Sequence, residues 1–206
     1  MPDRRKHRGP HPEDRQLFDA AAYPRLLAAF ADLCWLLDRG YAMASSLKLV
    51  GDRYELSARQ RLALERSACT AEAVTSRQSR LCSPQELSGG AVHLDGYNVL
   101  TTIEAALAGG VLLGGRDGTI RDMASMHGSY RKVAETQRAI ELVGDTLAQF
   151  GVSQALWYLD KPVSNSGRLA QLLRQMASER QWEWVVEIVP SPDHELLESP
   201  VPVVTA

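Results

Sequence analysis

Three cysteines, no long hydrophobic run and no nucleotide fingerprint set the first limits on this chain. Cys34, Cys69 and Cys82 form an odd set without close pairing, which argues against a disulfide framework. Cys34 lies in an apolar run and reads as core. The Cys/His clusters at short spacing that a zinc site requires are missing. No apolar stretch approaches the roughly 20 residues that span a bilayer. The stretch 1–11 is basic but lacks the apolar segment of a signal peptide. A cytoplasmic protein with no membrane partner is therefore expected. The run from Gly109 to Gly115 is glycine-rich, yet it matches neither the P-loop nor the dinucleotide fingerprint. Neither ATP nor NAD is read from it.

The 206 residues are 45% hydrophobic and 23% charged, an ordinary soluble composition with room for one or two domains. The net charge of -2 hides an asymmetry. Residues 1–80 carry 14 Lys/Arg against 10 Asp/Glu, whereas residues 81–206 carry 9 against 15. Such a split can set a binding half beside an acidic half, or it can be a dispersed solvated surface.

The hydrophobic pattern follows the same division. Arg4, Arg5, Lys6 and Arg8 form a basic arm with Gly9-Pro10 behind it. Leu26, Leu27, Phe30, Leu33, Cys34, Leu36 and Leu37 recur at helical spacing, and Gly40 ends that helix. Ala44 to Val50 predicts a short helix stopped by Gly51. Ser57 caps a helix with a basic face from Ala58. Residues 1–82 thus read as a helical, basic region and 83–90 as a linker. From 91 the pattern alternates strand and helix. Ala91 to Asp95 is a strand and Val99 to Ala108 a helix. Val111 to Leu113 is a second strand, Tyr130 to Phe150 a long helix and Ala155 to Asp160 a strand. Leu169 to Arg180 is a helix, Trp182 to Val189 is β-rich, Pro192 to Ser199 is loop or short helix, and Val201 to Thr205 is a last strand. The expected class is α/β, with a mostly parallel sheet over 91–206.

Ligands of such sheets bind beyond the carboxyl ends of the strands. Asp95 and Asp160 both fall at strand ends and are brought toward one edge. Hard divalent cations take one or two carboxylates, with water and phosphate completing the shell, and polarise phosphodiesters. Asp95, Asp160 and Asp117 are the candidate metal ligands. Asp122 is a further catalytic candidate, and Glu104 is another acid within reach of the first helix. Asn98, Ser164, Asn165, Ser166, Arg116, His127 and Arg131 are candidate substrate contacts. Arg4, Arg5, Lys6, Arg8, Lys48, Arg53, Arg59 and Arg61 are candidate phosphate contacts for a nucleic acid. Each acid also has a bland reading. Asp95-Gly96 and Asp160-Lys161-Pro162 can be turns, and Asn165 or Ser166 a plain helix cap. His93, inside a strand, reads as packed.

The segment His93-Leu94-Asp95-Gly96-Tyr97-Asn98 resembles the opening of PIN-like, NYN-type nuclease domains. The later Leu159-Asp160 with its Ser/Asn-rich turn is similar to their second acidic strand end. That resemblance covers about residues 91–206. It implies a three-layer PIN-like fold, Mg²⁺ or Mn²⁺ as cofactor, RNA as substrate, and metal-holding roles for Asp95 and Asp160. Such domains place a further acid after the last core strand, and here Ala206 follows that strand. Either the frame continues into an acidic segment or the site works without that acid. The whole chain also resembles the prokaryotic family known only as domain of unknown function 434. The resemblance is carried by residues 8–14 (Arg8 to Asp14), Lys48 to Arg53 and Pro162 to Gly167, and it implies no activity. The expectation is a metal-dependent ribonuclease, with RNA as partner and a homodimer as a possible assembly. A non-catalytic RNA-binding protein and a small-nucleotide phosphatase or phosphotransferase are the alternatives.

Overall fold

The N-terminal helices obey local rules. The Ser57 hydroxyl accepts the Gln60 backbone N–H at 3.3 Å, and the Gln60 side chain accepts the Ser57 N–H at 3.1 Å. This reciprocal capping box satisfies two donors that a helix start leaves open. The structure, a computed structural model, describes residues 7–123 and 130–206. Arg4, Arg5, Lys6 and His127 lie outside the described residues. In chain order the helices before the sheet are α1 (Asp14–Leu17), α2 (Tyr23–Leu37), α3 (Met43–Arg53), α4 (Ala58–Ser67) and α5 (Ala71–Gln78). Then come β1 (Ala91–Asp95), α6 (Gly96–Leu107), β2 (Leu112–Gly114), β3 (Ile120–Asp122) and α7 (Thr136–Gln149). The chain closes with β4 (Gln154–Asp160), α8 (Ser166–Arg180), β5 (Trp184–Val189), α9 (Pro192–Leu197) and β6 (Val203–Val204). No helix among the described residues is long and apolar enough to cross a membrane.

The chain divides into two compact units. The helical unit holds Gly9–Leu81 and Gly110–Met123. Its core joins Ala29, Leu33 and Leu37 of α2 to Val50 of α3, Leu64 of α4 and Leu56 of the loop between them. Of the apolar spacing read from α2, Leu33, Cys34 and Leu37 are buried and Leu26, Phe30 and Leu36 half-buried, whereas Leu27 is exposed. Gly51 does not end α3, which continues to Arg53. A Cβ at Gly51 would meet the Arg61 guanidinium at 2.5 Å, so glycine serves a close approach there.

The run Val111 to Leu113 does not join the parallel sheet. β2 pairs antiparallel with β3, Leu112 opposite Asp122, and the pair belongs to the helical unit. The turn between them contains Gly118 at φ +85°, and glycine there suits a hairpin. A three-residue apolar run cannot by itself distinguish hairpin from crossover strand.

The α/β unit holds Cys82–Gly109, the described chain from Tyr130 onward, and Arg8. Its sheet is four-stranded in the order β5-β4-β1-β6, all pairs parallel. The 83–90 stretch is no free tether. It forms a 3₁₀ turn over Pro84–Leu87, and Gly89 N–H donates to Gly151 O at 2.7 Å. The helix expected from Tyr130 begins only at Thr136, whose hydroxyl accepts the Val133 N–H.

One sheet face carries Val92, Leu94, Ala155, Trp157, Leu159 and Val186. They form one core with Leu100 of α6, Ile140 and Val143 of α7, and Leu169 and Leu173 of α8. The alternate residues, His93 and Asp95 of β1 with Tyr158 and Asp160 of β4, share the opposite face, since Asp95 pairs with Tyr158 in register. The β5-to-β6 return runs back across β4 and β1, against the direction of the earlier crossovers. Right-handed connections then put α9 on this second face, where it packs against β1 and β4.

Candidate functional site

Asp95 ends β1 and caps α6. Its Oδ1 accepts the Asn98 backbone N–H at 3.4 Å. Its Oδ2 accepts Asn98 Nδ2 at 2.6 Å and Thr205 Oγ1 at 3.2 Å. The next residue is not turn glycine. Gly96 is the first helical residue, and a Cβ there would lie 2.6 Å from Leu159 Cδ2 and 2.8 Å from Tyr158 O. Glycine lets α6 start directly against β4, which fixes the Asp95 carboxylate at the sheet edge.

Asp95 is 4% exposed. Burial raises its carboxyl above the ordinary value, the hydrogen bonds from Asn98 and Thr205 oppose the rise, and the charge of Asp193 adds to it. Asp160 ends β4, two residues beyond the register partner of Asp95 and on the same face. Burial raises it as well, followed by the charges of Asp95 and Asp193. Asp193 stands in the first turn of α9. Three acids thus converge electrostatically at one edge, and none has a cationic partner among the described residues. Sequence reasoning missed Asp193. It follows the end of β5 by four residues, so the strand-end rule applied to a third strand would have found it. Among the described residues no group of three or more His, Cys, Asp or Glu could hold a metal ion.

Ser166 is buried and structural. Its hydroxyl accepts from Tyr97 OH at 2.8 Å and is shared between the carbonyls of Asp160 and Val163, both at 2.5 Å. Asn165, at φ +72°, donates from Nδ2 to Tyr130 O at 2.9 Å. The Ser164 carbonyl accepts Tyr130 N–H at 3.1 Å. Glu104 is fully buried and sits on the helix-packed side. Arg8 Nε, Tyr130 OH and Thr136 Oγ1 all donate to it. Arg8 is therefore a buried counterion inside the α/β unit and not part of a free basic arm. Arg131 lies beside it, its carbonyl accepting from Arg8 at 3.3 Å.

Residues 84–206, the stretch carrying this edge, match the family described as Domain of unknown function (DUF5616). The chain belongs to that family. Ahead of the DUF5616 region, residues 25–80 match a second description, Protein of unknown function (DUF434). The DUF434 likeness is thus confined to the helical part. It reaches neither residues 8–14 nor Pro162 to Gly167, the latter falling inside DUF5616. The chain is 30% identical over 165 residues to "Uncharacterized protein MJ0935" of Methanocaldococcus jannaschii, covering 80% of this chain and 79% of that protein. No solved structure matches the chain.

The remaining candidates lie outside the DUF5616 edge or are committed elsewhere. Asp117 and Asp122 belong to the helical unit, not to the unit that holds Asp95. Asp117 accepts from Arg77, Arg121 and Thr119. Burial works against its charge, yet the hydrogen bonds from Arg121 and Thr119 hold its carboxyl well below the ordinary range. Asp122 is buried in β3, and its carbonyl accepts from Arg66 at 3.2 Å. Arg116 grips Asp38 at 2.7 and 2.8 Å. The four candidate phosphate contacts of the helical unit are paired as well. Arg59 binds Asp14, Lys48 and Arg61 bind Asp52 at 2.7 and 2.9 Å, and Arg53 faces Asp32 at 3.7 Å.

Proposed function

We propose that this protein is a metal-dependent phosphodiesterase acting on RNA, with Asp95 and Asp160 as the pair that holds a divalent cation. One observation carries the reading. Two carboxylates at neighbouring strand ends are raised by burial and, for Asp160, by the charge of Asp95, with no cation to offset them among the described residues. Structural ion pairs depress carboxyl pKa values. Uncompensated acidic clusters in a sheet-edge crevice are a hallmark of sites that take a cation or a proton.

The donor set fits Mg²⁺ or Mn²⁺. Such ions take one or two carboxylates and leave the other positions to water and phosphate, so a closed three-acid cage is not required. When bound, the ion supplies charge neutralisation for the phosphodiester and a lowered pKa for water. The chain's own residues set the stage. Asn98 and Thr205 fix the orientation of Asp95 through both oxygens of its carboxylate. Thr205 follows the last strand, where a PIN-like resemblance would call for a further acid, and Asp193 adds negative charge to the edge. Asp193 acts in this reading through its charge and not as a ligand.

The test is cleavage of single-stranded RNA with Mn²⁺ or Mg²⁺ by wild type, Asp95→Asn and Asp160→Asn. Each variant should lose more than the roughly 10–100-fold that outer-shell partners of a metal cost. Equal activity in wild type and Asp95→Asn would remove Asp95 from the mechanism. A second reading, RNA binding without cleavage, draws on the lack of a three-acid cage among the described residues. Binding with no cleavage under any divalent metal would promote it.

A further inference from the structure

The α/β unit carries a cleft of about 420 Å³ along one side of α8. One wall is the segment 130–132, the other the face of α8 that bears Arg168, Gln171, Leu172 and Gln175. Its lining includes Arg131, Lys132 and Arg168 and no acidic residue. That is a concentration against the trend. The segments 82–109 and 124–206 hold 7 Lys/Arg against 13 Asp/Glu, and three of the seven line this cleft. Others of the seven are spoken for. Arg138 and Arg180 pair with Glu141, and Arg174 donates to Val186 O. Lys132 and Arg168 have no carboxylate partner among the described residues.

The wall is held in place before any ligand arrives. Tyr130 N–H donates to Ser164 O, Asn165 Nδ2 donates to Tyr130 O, and Tyr130 OH donates to the buried Glu104. Arg8 donates to Arg131 O from the inside. From Arg168 to Gln175 the helix rises about 10 Å, and along this face the lining passes from Arg168 to the amides and Leu172. Arg168 stands in the first turn of α8, which starts six residues after Asp160.

We infer that this cleft binds the phosphate backbone of a single-stranded polynucleotide, and that it, rather than the helical unit, is the nucleic-acid surface of the protein. The inference rests on the proposed reading for its choice of ligand. Cations in a groove track a phosphate backbone, while Lys48, Arg53, Arg59 and Arg61 of the helical unit already face Asp52, Asp32 and Asp14.

The experiment measures binding of a fluorescent single-stranded RNA oligonucleotide to the full chain in EDTA, where cleavage plays no part. Salt is titrated for wild type, a Lys132→Gln/Arg168→Gln variant and a Lys48→Gln/Arg53→Gln variant, with circular dichroism as the check that each folds. The cleft variant should bind at least about tenfold more weakly. Its slope of log K against log salt should be shallower by about 1.4, from two lost contacts at ~0.7 each on single strands. The helical-unit variant should match wild type. Unchanged binding in the cleft variant, or an equal loss in both variants, overturns the inference. Competition by inorganic phosphate at concentrations near the oligonucleotide's own Kd also overturns it, in favour of a small phosphate ligand. Failure of the inference and failure of the nuclease reading remain distinct. Binding that depends on the cleft, without cleavage under Mn²⁺, removes only the nuclease. Cleavage with unchanged KM in the cleft variant removes only the cleft.

Discussion

The helical unit and the carboxyl edge of the sheet treat their acids in opposite ways. In the helical unit Asp14, Asp38, Asp52 and Asp117 each face arginine or lysine, and each is held below its ordinary range. At the carboxyl edge of the sheet Asp95 and Asp160 face other acids and are raised. The first arrangement stabilises a fold built from short helices. The second costs stability, a cost that the proposed cation would relieve. The two groups look alike in sequence, as single Asp residues near glycines or helix ends. Their partners separate them.

Glu104 sharpens the contrast from inside the α/β unit, because there a buried acid does have its arginine. Removing one member of a buried pair leaves an uncompensated charge, at about 3–5 kcal/mol. Arg8→Ala should lower unfolding free energy by that much in a chemical denaturation curve. A loss below about 1 kcal/mol would mean Arg8 is not the counterion of Glu104.

The next effect sets Asp117 against Asp95. Asp117→Asn removes an acceptor of charged hydrogen bonds and should cost roughly 2–3 kcal/mol. Asp95→Asn removes a disfavoured charge and keeps a good helix cap. Its thermal midpoint should equal or exceed that of wild type, the trade of stability for function expected at a working site. Destabilisation by both substitutions to the same extent would erase the distinction between the units.

Acid should act on the helical unit through Asp38. Hydrogen bonds from Arg116 and from the Ala71 N–H lower Asp38 to about 2. A lowered carboxyl contributes stability above its unfolded value, and that contribution is lost as pH falls through its folded value. Amide hydrogen exchange between pH 5 and 2 should therefore show protection in α2 and α5 falling through this window. Flat protection down to pH 2 would show that Arg116 does not stabilise Asp38. The smallest effect belongs to the exposed pairs. Lys48→Gln should change stability by less than about 0.5 kcal/mol.

Much of this was legible in the sequence. The stripe on α2, the cap at Ser57, and the strands ending at Asp95 and Asp160 follow from period and turn chemistry, which are local. The failures share a cause. Arg59 with Asp14 and Arg8 with Glu104 join residues far apart in the chain, and no pattern along the chain reports such pairing. The run at Leu112 is too short to reveal which unit it joins. Asp193 was passed over because Pro192 to Ser199 read as loop or short helix, although Asp193 follows a parallel strand's end by four residues.

The central claim is that the raised acids at the sheet edge hold a divalent cation. The most direct test is Mn²⁺ binding, followed by electron paramagnetic resonance, to wild type, Asp95→Asn and Asp160→Asn without RNA. The account predicts a bound ion on wild type and its loss in both variants, while Asp117→Asn binds as wild type does. Equal binding by all four proteins, or no binding by wild type, would contradict it.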